Sequence, residues 1–97
     1  MKAEESFDLI ISRAVKKSLD KLGTRTAKKV IEALREIQKD PFRPRSGADI
    51  MKIRGRKEPP AYRLKFGNIR IEYVVYEEEA LIQVEQIFKR KGDSYYR

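Results

Sequence analysis

A predicted β-hairpin brings several positive charges close together. Apolar and charged residues alternate on both sides of Gly67-Asn68, a dipeptide typical of a two-residue turn between antiparallel strands. A turn of this length places Lys65 opposite Arg70, and it places Arg63 on the same side of the hairpin. Opposed like charges destabilise a bare hairpin, so the pattern favours a bound phosphate. The open alternatives are that the cations extend into solvent, or that Glu72, opposite Arg63, neutralises part of the charge.

These cations define the chemistry that is available, because the chain contains neither His nor Cys. Imidazole ligands, thiolate zinc sites and Ser-His or Cys-His pairs are therefore excluded. Neighbouring positive charge favours the neutral form of a lysine, which makes Lys65 a candidate general acid or base. Arginines stay charged and offer forked donors to phosphate oxygens. Lys, Arg and Tyr side chains can together cleave an RNA phosphodiester, so we expect neither a metal nor a cofactor.

The C-terminal tail adds cations and aromatic rings. Lys89-Arg90-Lys91 is followed by the adjacent pair Tyr95-Tyr96. Aromatic rings among cations suit stacking on nucleic-acid bases. Alternatively, one of the two rings packs back on the edge of the sheet. Glu77–Glu79 lies on a predicted turn without further carboxylates in register, so it does not indicate a metal site.

The first half of the chain predicts a strand and two helices. Alternation over residues 6–11 is typical of a strand. Ser12 can cap a helix over residues 13–22, which Gly23 ends. A second helix over residues 25–40 precedes Pro41. Its predicted core stripe consists of Ala27, Val30, Ile31, Leu34 and Ile37. The short connection predicts an antiparallel helix hairpin.

The second half predicts four strands. After Ile50 the period becomes two, with Met51 and Ile53 as the apolar set, until a charged break at residues 55–60. Two strands flank Gly67-Asn68, and a last strand covers residues 80–88. The order β-α-α-β-β-β-β predicts an α+β fold: an N-terminal strand, a helix hairpin, and a four-strand antiparallel segment. We expect one domain, residues 1–97, with both helices on one face, Arg70 outside the core, and the first strand beside a later one.

The charge distribution indicates a polyanionic partner. The chain carries a net charge of +8, and residues 43–70 alone hold nine basic and two acidic side chains. Such an excess favours nucleic acid or the ribosome as the partner. Uncharged apolar runs are far too short for a membrane span or a signal peptide. We therefore expect a soluble, cytoplasmic protein without a membrane partner.

Three segments resemble a known family. They are Lys52-Ile53-Arg54-Gly55, the stretch Ala61–Tyr73 (AYRLKFGNIRIEY), and Lys89-Arg90-Lys91 followed by Tyr95-Tyr96-Arg97. Together with the order of elements, they are similar to the RelE/ParE toxins of bacterial and archaeal toxin–antitoxin pairs. The middle segment carries the most specific match, because it contains both basic positions before the turn and the arginine after it.

The resemblance implies an activity and a set of residues. RelE-type members are endoribonucleases that cut messenger RNA in the ribosomal A site without metal. The positions that match their catalytic set are Arg63, Lys65, Arg70, Arg90, and Tyr95 or Tyr96. Other basic residues are expected to contact RNA: Lys52, Arg54, Arg56, Lys89 and Lys91. Arg63 stands where some members have Lys, and Lys89 where many have His. The implied partners are a RelB-like antitoxin, the ribosome and messenger RNA.

Two other functions remain compatible with the sequence. ParE-type members share the fold but inhibit DNA gyrase, and they typically lack the full set of basic residues and tyrosine. The near-complete set in this chain favours the nuclease. A basic module that binds RNA or DNA without catalysis is the third possibility.

Overall fold

Five strands form one sheet, and two helices pack on one of its faces. The computed structural model describes residues 6–90, with Lys57 described by its backbone only. The strand order is β1-β5-β4-β3-β2. The elements are β1 (Asp8–Ile11), α1 (Arg13–Asp20), α2 (Thr24–Lys39), β2 (Asp49–Lys57), β3 (Pro60–Phe66), β4 (Ile69–Tyr76) and β5 (Leu81–Lys89). β1 runs parallel to β5, and the other neighbours are antiparallel. This architecture confirms the predicted α+β fold.

The helix ends follow from local chemistry. The Oγ of Ser12 accepts a hydrogen bond from the backbone N–H of Val15 at 3.2 Å, which caps α1. Gly23 has a φ of +90°, a conformation that favours glycine and lets the chain turn directly into α2. Within the described residues, neither helix is long and apolar enough to cross a membrane.

The predicted core stripe of α2 is wrong at one position. Val30, Leu34 and Ile37 are buried in the core, but Ile31 is 40% exposed. Ile31 lies beside the stripe of α2 that faces the sheet, and it lines the open groove between the two helices. α1 also differs from the prediction, because it ends at Asp20, two residues earlier than expected.

The hairpin of β3 and β4 has the predicted register. Phe66 pairs with Ile69, Lys65 with Arg70, and Leu64 with Ile71. The core on the helix side of β4 consists of Ile69, Ile71, Tyr73 and Val75. The intervening residues of β4 therefore lie on the face that the helices do not cover, which we call the open face.

The apolar alternation of the sequence does not identify the buried face of β2. Ile50 is buried in the core, whereas Met51, one of the alternating apolar residues, is 56% exposed and pairs with Arg63. The pairing of β2 with β3 shifts between Lys52 and Lys57, and Gly55 has a φ of +83° within this bulge. A bulge adds residues to one strand and interrupts the alternation of its side chains without ending the strand. β2 therefore continues to Lys57, through the break that the sequence predicted.

Side chains fix the loop between α2 and β2. Arg45 donates to the carbonyl oxygens of Glu36 at 2.8 Å, Asp40 at 3.0 Å and Arg43 at 2.7 Å. The Oδ1 of Asp40 accepts from the backbone N–H groups of Phe42 at 3.0 Å and Arg43 at 3.2 Å. The loop is therefore tied to the C-terminal end of α2.

Candidate functional site

Two rows of side chains cross the open face. Each row takes one residue from each of four neighbouring strands, because residues that pair across strands share a face. The first row is Met51, Arg63, Glu72 and Gln86, and the second is Asp49, Lys65, Arg70 and Phe88. In the first row Arg63 is paired with Glu72, whereas in the second Lys65 is paired with both Asp49 and Arg70. The side-chain contacts therefore decide how much of the positive charge is neutralised.

A shallow depression of about 390 Å³ lies over these rows. Its lining consists of Met51, Arg63, Lys65, Arg70, Phe88 and Arg90. The structure thus brings together four of the cations that the sequence singled out. Met51 and Phe88, which the sequence reasoning missed, contribute apolar surface between them. Counting from the buried Ile50 rather than from Met51 would have placed Met51 on this face.

Arg70 is the buried cation of the depression. It is only 8% exposed, and its Nη1 donates to the carbonyl oxygens of Gly67 at 2.9 Å and Ile69 at 3.0 Å. It lies outside the hydrophobic core, as predicted, but it is not a freely solvated side chain. The hairpin turn that supplies its register also holds its guanidinium.

Arg63 forms an ion pair within the first row. Its Nε and Nη2 both donate to Oε2 of Glu72, at 3.0 and 2.8 Å. Oε1 of Glu72 accepts from Nε2 of Gln86 at 2.9 Å. Glu72 therefore neutralises part of the charge, which was one of the alternatives that the sequence left open.

Lys65 has a weaker carboxylate neighbour. Its Nζ lies 3.9 Å from Oδ2 of Asp49, and both side chains are exposed. Exposed pairs at this distance contribute little to stability, and solvent screens them. Among the described side chains, the four cations of the depression and the carboxylates of Glu72 and Asp49 together carry a net charge of +2, which favours anions at this face.

The end of β5 brings Arg90 to the hairpin turn. The backbone N–H of Arg90 donates to the carbonyl oxygen of Asn68 at 2.6 Å. This bond fixes the chain where it leaves the sheet, beside the depression that Arg90 lines. Tyr95, Tyr96 and Lys91 lie outside the described residues.

The other predicted RNA contacts are dispersed. Lys52 pairs with Tyr62 and Lys89 with Ile69, which places both lysines on the helix side of the sheet. Arg54 is exposed on the bulge. Arg56 binds both carboxylate oxygens of Glu85, at 3.2 and 3.1 Å. The structure therefore gathers the predicted catalytic cations but not this second set.

A second cavity, of about 500 Å³, has the opposite charge. Lys52 and Tyr62 line it together with Glu58 and the three glutamates of the turn after β4. Burial, and then the charge of Glu77, raise the pKa of the Tyr62 hydroxyl. Among residues 6–90, no group of three or more carboxylates is arranged to hold a metal ion.

Comparisons with known proteins agree on a family and a fold. Residues 9–93 match the family described as the ParE toxin of type II toxin–antitoxin systems, parDE. A Methanocaldococcus jannaschii protein named as a RelE toxin is 30% identical over 86 residues, which cover 89% of this chain and 92% of that protein.

Two solved structures share the fold. The archaeal RelE–RelB complex from Pyrococcus horikoshii matches with a TM-score of 0.76 at 24% identity, covering 88% of this chain and 96% of that one. The isolated RelE toxin of E. coli matches with a TM-score of 0.75 at 24% identity, covering 94% and 92%.

Proposed function

Because this chain belongs to the ParE toxin family of type II toxin–antitoxin systems, within the RelE/ParE superfamily, we propose that it cleaves messenger RNA in the ribosomal A site. The observation that supports this proposal is the cluster of Arg63, Lys65, Arg70 and Arg90 around one depression. A phosphodiester placed there would meet forked donors from more than one side.

The proposed reaction uses these cations in distinct roles. The 2′-hydroxyl oxygen attacks phosphorus, the bond to the 5′ oxygen breaks, and a cyclic phosphate and a 5′-hydroxyl result. Arg63, Arg70 and Arg90 stabilise the charge that develops on the phosphoryl oxygens. Lys65 and a tail tyrosine, Tyr95 or Tyr96, remove the proton from the 2′-hydroxyl and supply one to the leaving oxygen.

A reconstituted translation system tests the proposal directly. We expect the purified chain to cut a defined ribosome-bound message within codons, as read by primer extension. Loss of one preorganised cation should lower the cleavage rate by about 10²–10³-fold, so Arg90→Ala should be nearly inactive. Arg25→Ala removes an equal charge from the exposed surface of α2 and should cleave like the wild type.

Three further variants separate proton transfer from electrostatics. Lys65→Arg keeps the charge but cannot readily release a proton, so it should lower cleavage while leaving RNA binding unchanged. Tyr95→Phe and Tyr96→Phe identify the reacting tyrosine, because only one of the two should slow cleavage. Wild-type rates in all of these variants and in Arg90→Ala would contradict the assignment of catalysis to these residues.

Inhibition of DNA gyrase is the second candidate function. The observation that favours it is that residues 9–93 match the family model of the ParE toxin. A supercoiling assay with the same preparation tests it: loss of supercoiling without cleavage of the message would replace the nuclease by the gyrase inhibitor. Salt-dependent RNA or DNA binding with neither activity would indicate a non-catalytic binding module.

We also propose that a RelB-like antitoxin binds this chain in the cytoplasm and covers the depression. The support is the fold shared with the toxin of the RelE–RelB complex from Pyrococcus horikoshii. Co-expression with the product of the neighbouring small open reading frame should give a complex that copurifies and does not cleave message.

A further inference from the structure

Glu72 is a carboxylate among the cations of the depression, and both of its oxygens are occupied. Arg63 donates to Oε2 through Nε and Nη2, and Gln86 donates to Oε1. The side chain of Glu72 is 13% exposed, against 41% for Arg63. Glu72 is thus the more confined member of the pair, and Arg63 is the side chain that it holds.

The pair leaves Arg63 able to bind an anion. A guanidinium has five N–H donors in a planar fork. Glu72 accepts one donor from Nε and one from Nη2, so the second donor of Nη2 and both donors of Nη1 remain. One donor of Nη1 and the remaining donor of Nη2 form the end of the fork, and that end can contact phosphate while the side edge stays bound to Glu72.

Glu72 weakens the attraction of the depression for RNA. Without its charge, the net charge of these described side chains, the four cations with Asp49, would rise from +2 to +3. A carboxylate in an anion-binding site lowers affinity. Its contribution must therefore be something other than affinity, and its hydrogen bonds are with Arg63 and Gln86.

We propose that Glu72 is a positioning residue that fixes the Arg63 guanidinium against the scissile phosphate, with Gln86 holding Glu72 in turn. This inference rests on the proposed nuclease function. Orientation within a site affects the rate more than binding does, and a misplacement of about 1 Å can cost about 10²-fold in rate. Binding and turnover should therefore respond to Glu72 in opposite directions.

The experiment is a double-mutant cycle on the full chain, with Glu72→Gln, Arg63→Lys and the double variant. Glu78→Gln, on the turn after β4, is the control with the same charge change on the helix side. Two quantities are measured: the dissociation constant of a single-stranded RNA oligonucleotide at several salt concentrations, and the single-turnover cleavage rate on ribosome-bound message at saturating protein. Circular dichroism confirms that each variant is folded at the assay temperature.

We expect Glu72→Gln to bind RNA more tightly, with a salt slope steeper by about 0.7, and to cleave about 10–100-fold more slowly. In the Arg63→Lys background, which has no fork to orient, the rate effect of Glu72→Gln should largely disappear. Glu78→Gln should change neither the slope nor the rate by a comparable amount.

Other results would overturn the inference. If Glu72→Gln cleaved at the wild-type rate, or if its full rate loss persisted in the Arg63→Lys background, Glu72 would not act through Arg63. A wild-type protein that binds RNA but does not cleave ribosome-bound message would overturn the nuclease proposal, and with it the catalytic role of Glu72. The wild-type rate thus distinguishes the two failures.

Discussion

Arg70 shows how a single side chain can serve both the backbone and the site. Its guanidinium donates to two carbonyl oxygens of the hairpin turn while the side chain lines the depression. A cation held by fixed acceptors requires little reorganisation when an anion arrives, which is the condition for electrostatic preorganisation.

This double role predicts that Arg70→Ala destabilises the fold. The substitution removes the donor of two carbonyl oxygens in a buried setting, so the free energy of unfolding should fall by about 1–3 kcal/mol. Lys65→Ala, at the paired position of β3, removes an exposed cation and should change stability by less than about 0.5 kcal/mol. Urea unfolding measures both. Equal stability of Arg70→Ala and the wild type would show that the turn does not depend on this side chain.

At the residue scale, the sequence predicted which residues share a face of the sheet better than it predicted the contacts of their side chains. The two-residue turn at Gly67-Asn68 sets the register, and the register sets which residues share the open face. The burial of Arg70 depends on carbonyl groups of the turn, and the confinement of Glu72 depends on Gln86 from β5. Neither contact follows from alternation along one strand, so the sequence proposed the cations and the Arg63–Glu72 pair but not the contacts that hold Arg70 and Glu72.

At the scale of elements, the limit of prediction was the bulge in β2. Alternation predicts faces only while pairing is regular, and the bulge between Lys52 and Lys57 breaks that regularity. The faces of the residues between Lys52 and Lys57 were therefore not predictable from alternation. The parallel pairing of β1 with β5 joins distant parts of the chain, and the sequence predicted only that β1 lies beside some later strand.

The loop from α2 to β2 depends on Arg45. This side chain donates to three backbone carbonyl oxygens, two of which lie at or beyond the end of α2. Arg45→Ala should lower the free energy of unfolding by about 1–3 kcal/mol, because these acceptors lose a charged donor. Arg43→Ala removes an exposed arginine 3.4 Å from Asp40 and should cost less than about 0.5 kcal/mol in thermal or urea unfolding. Similar losses in both variants would argue against a specific role for Arg45.

Asp40 gives the same loop a dependence on pH. The backbone N–H of Phe42 holds the pKa of Asp40 below its ordinary value of 3.8, and burial opposes this effect only in part. Because the folded state binds the proton less readily than the unfolded state, this stability is present above the ordinary pKa and is lost as the pH falls through the lowered one.

The expected consequence is a difference between the wild type and Asp40→Asn in acid. The asparagine oxygen can still accept the two backbone bonds but does not titrate, so the variant should lose less stability between about pH 5 and pH 3. Denaturant unfolding across this range measures the difference. Asp20→Asn, which changes an exposed carboxylate 3.8 Å from Lys16, should follow the wild type. Parallel pH profiles for wild type and Asp40→Asn would contradict the assignment.

At the scale of the whole molecule, charge and apolar surface coincide on the open face. The chain has a net charge of +8, and the depression carries cations beside Met51 and Phe88. The glutamates of the turn after β4 line a cavity with Lys52 and Tyr62 instead. A partner that covers the depression must therefore supply acidic groups and some apolar surface together.

We therefore expect the antitoxin to bind through a segment with acidic and apolar side chains. Its affinity should fall at least roughly tenfold between about 0.1 M and 0.5 M salt, because the charged part of the contact is screened. Met51→Ala should weaken binding by roughly five- to tenfold at any salt concentration, since it removes apolar contact from the depression.

Ile10→Ala is the matched control for the apolar part of this contact. Ile10 is also exposed, but it lies on β1, at the opposite edge of the sheet from β2. Isothermal titration of the antitoxin into each variant separates the two surfaces. Salt-insensitive binding that Ile10→Ala weakens and Met51→Ala does not would place the contact on the far edge of the sheet. In that case the cations of the open face would remain accessible to RNA in the complex, and inhibition would need a mechanism other than covering the depression.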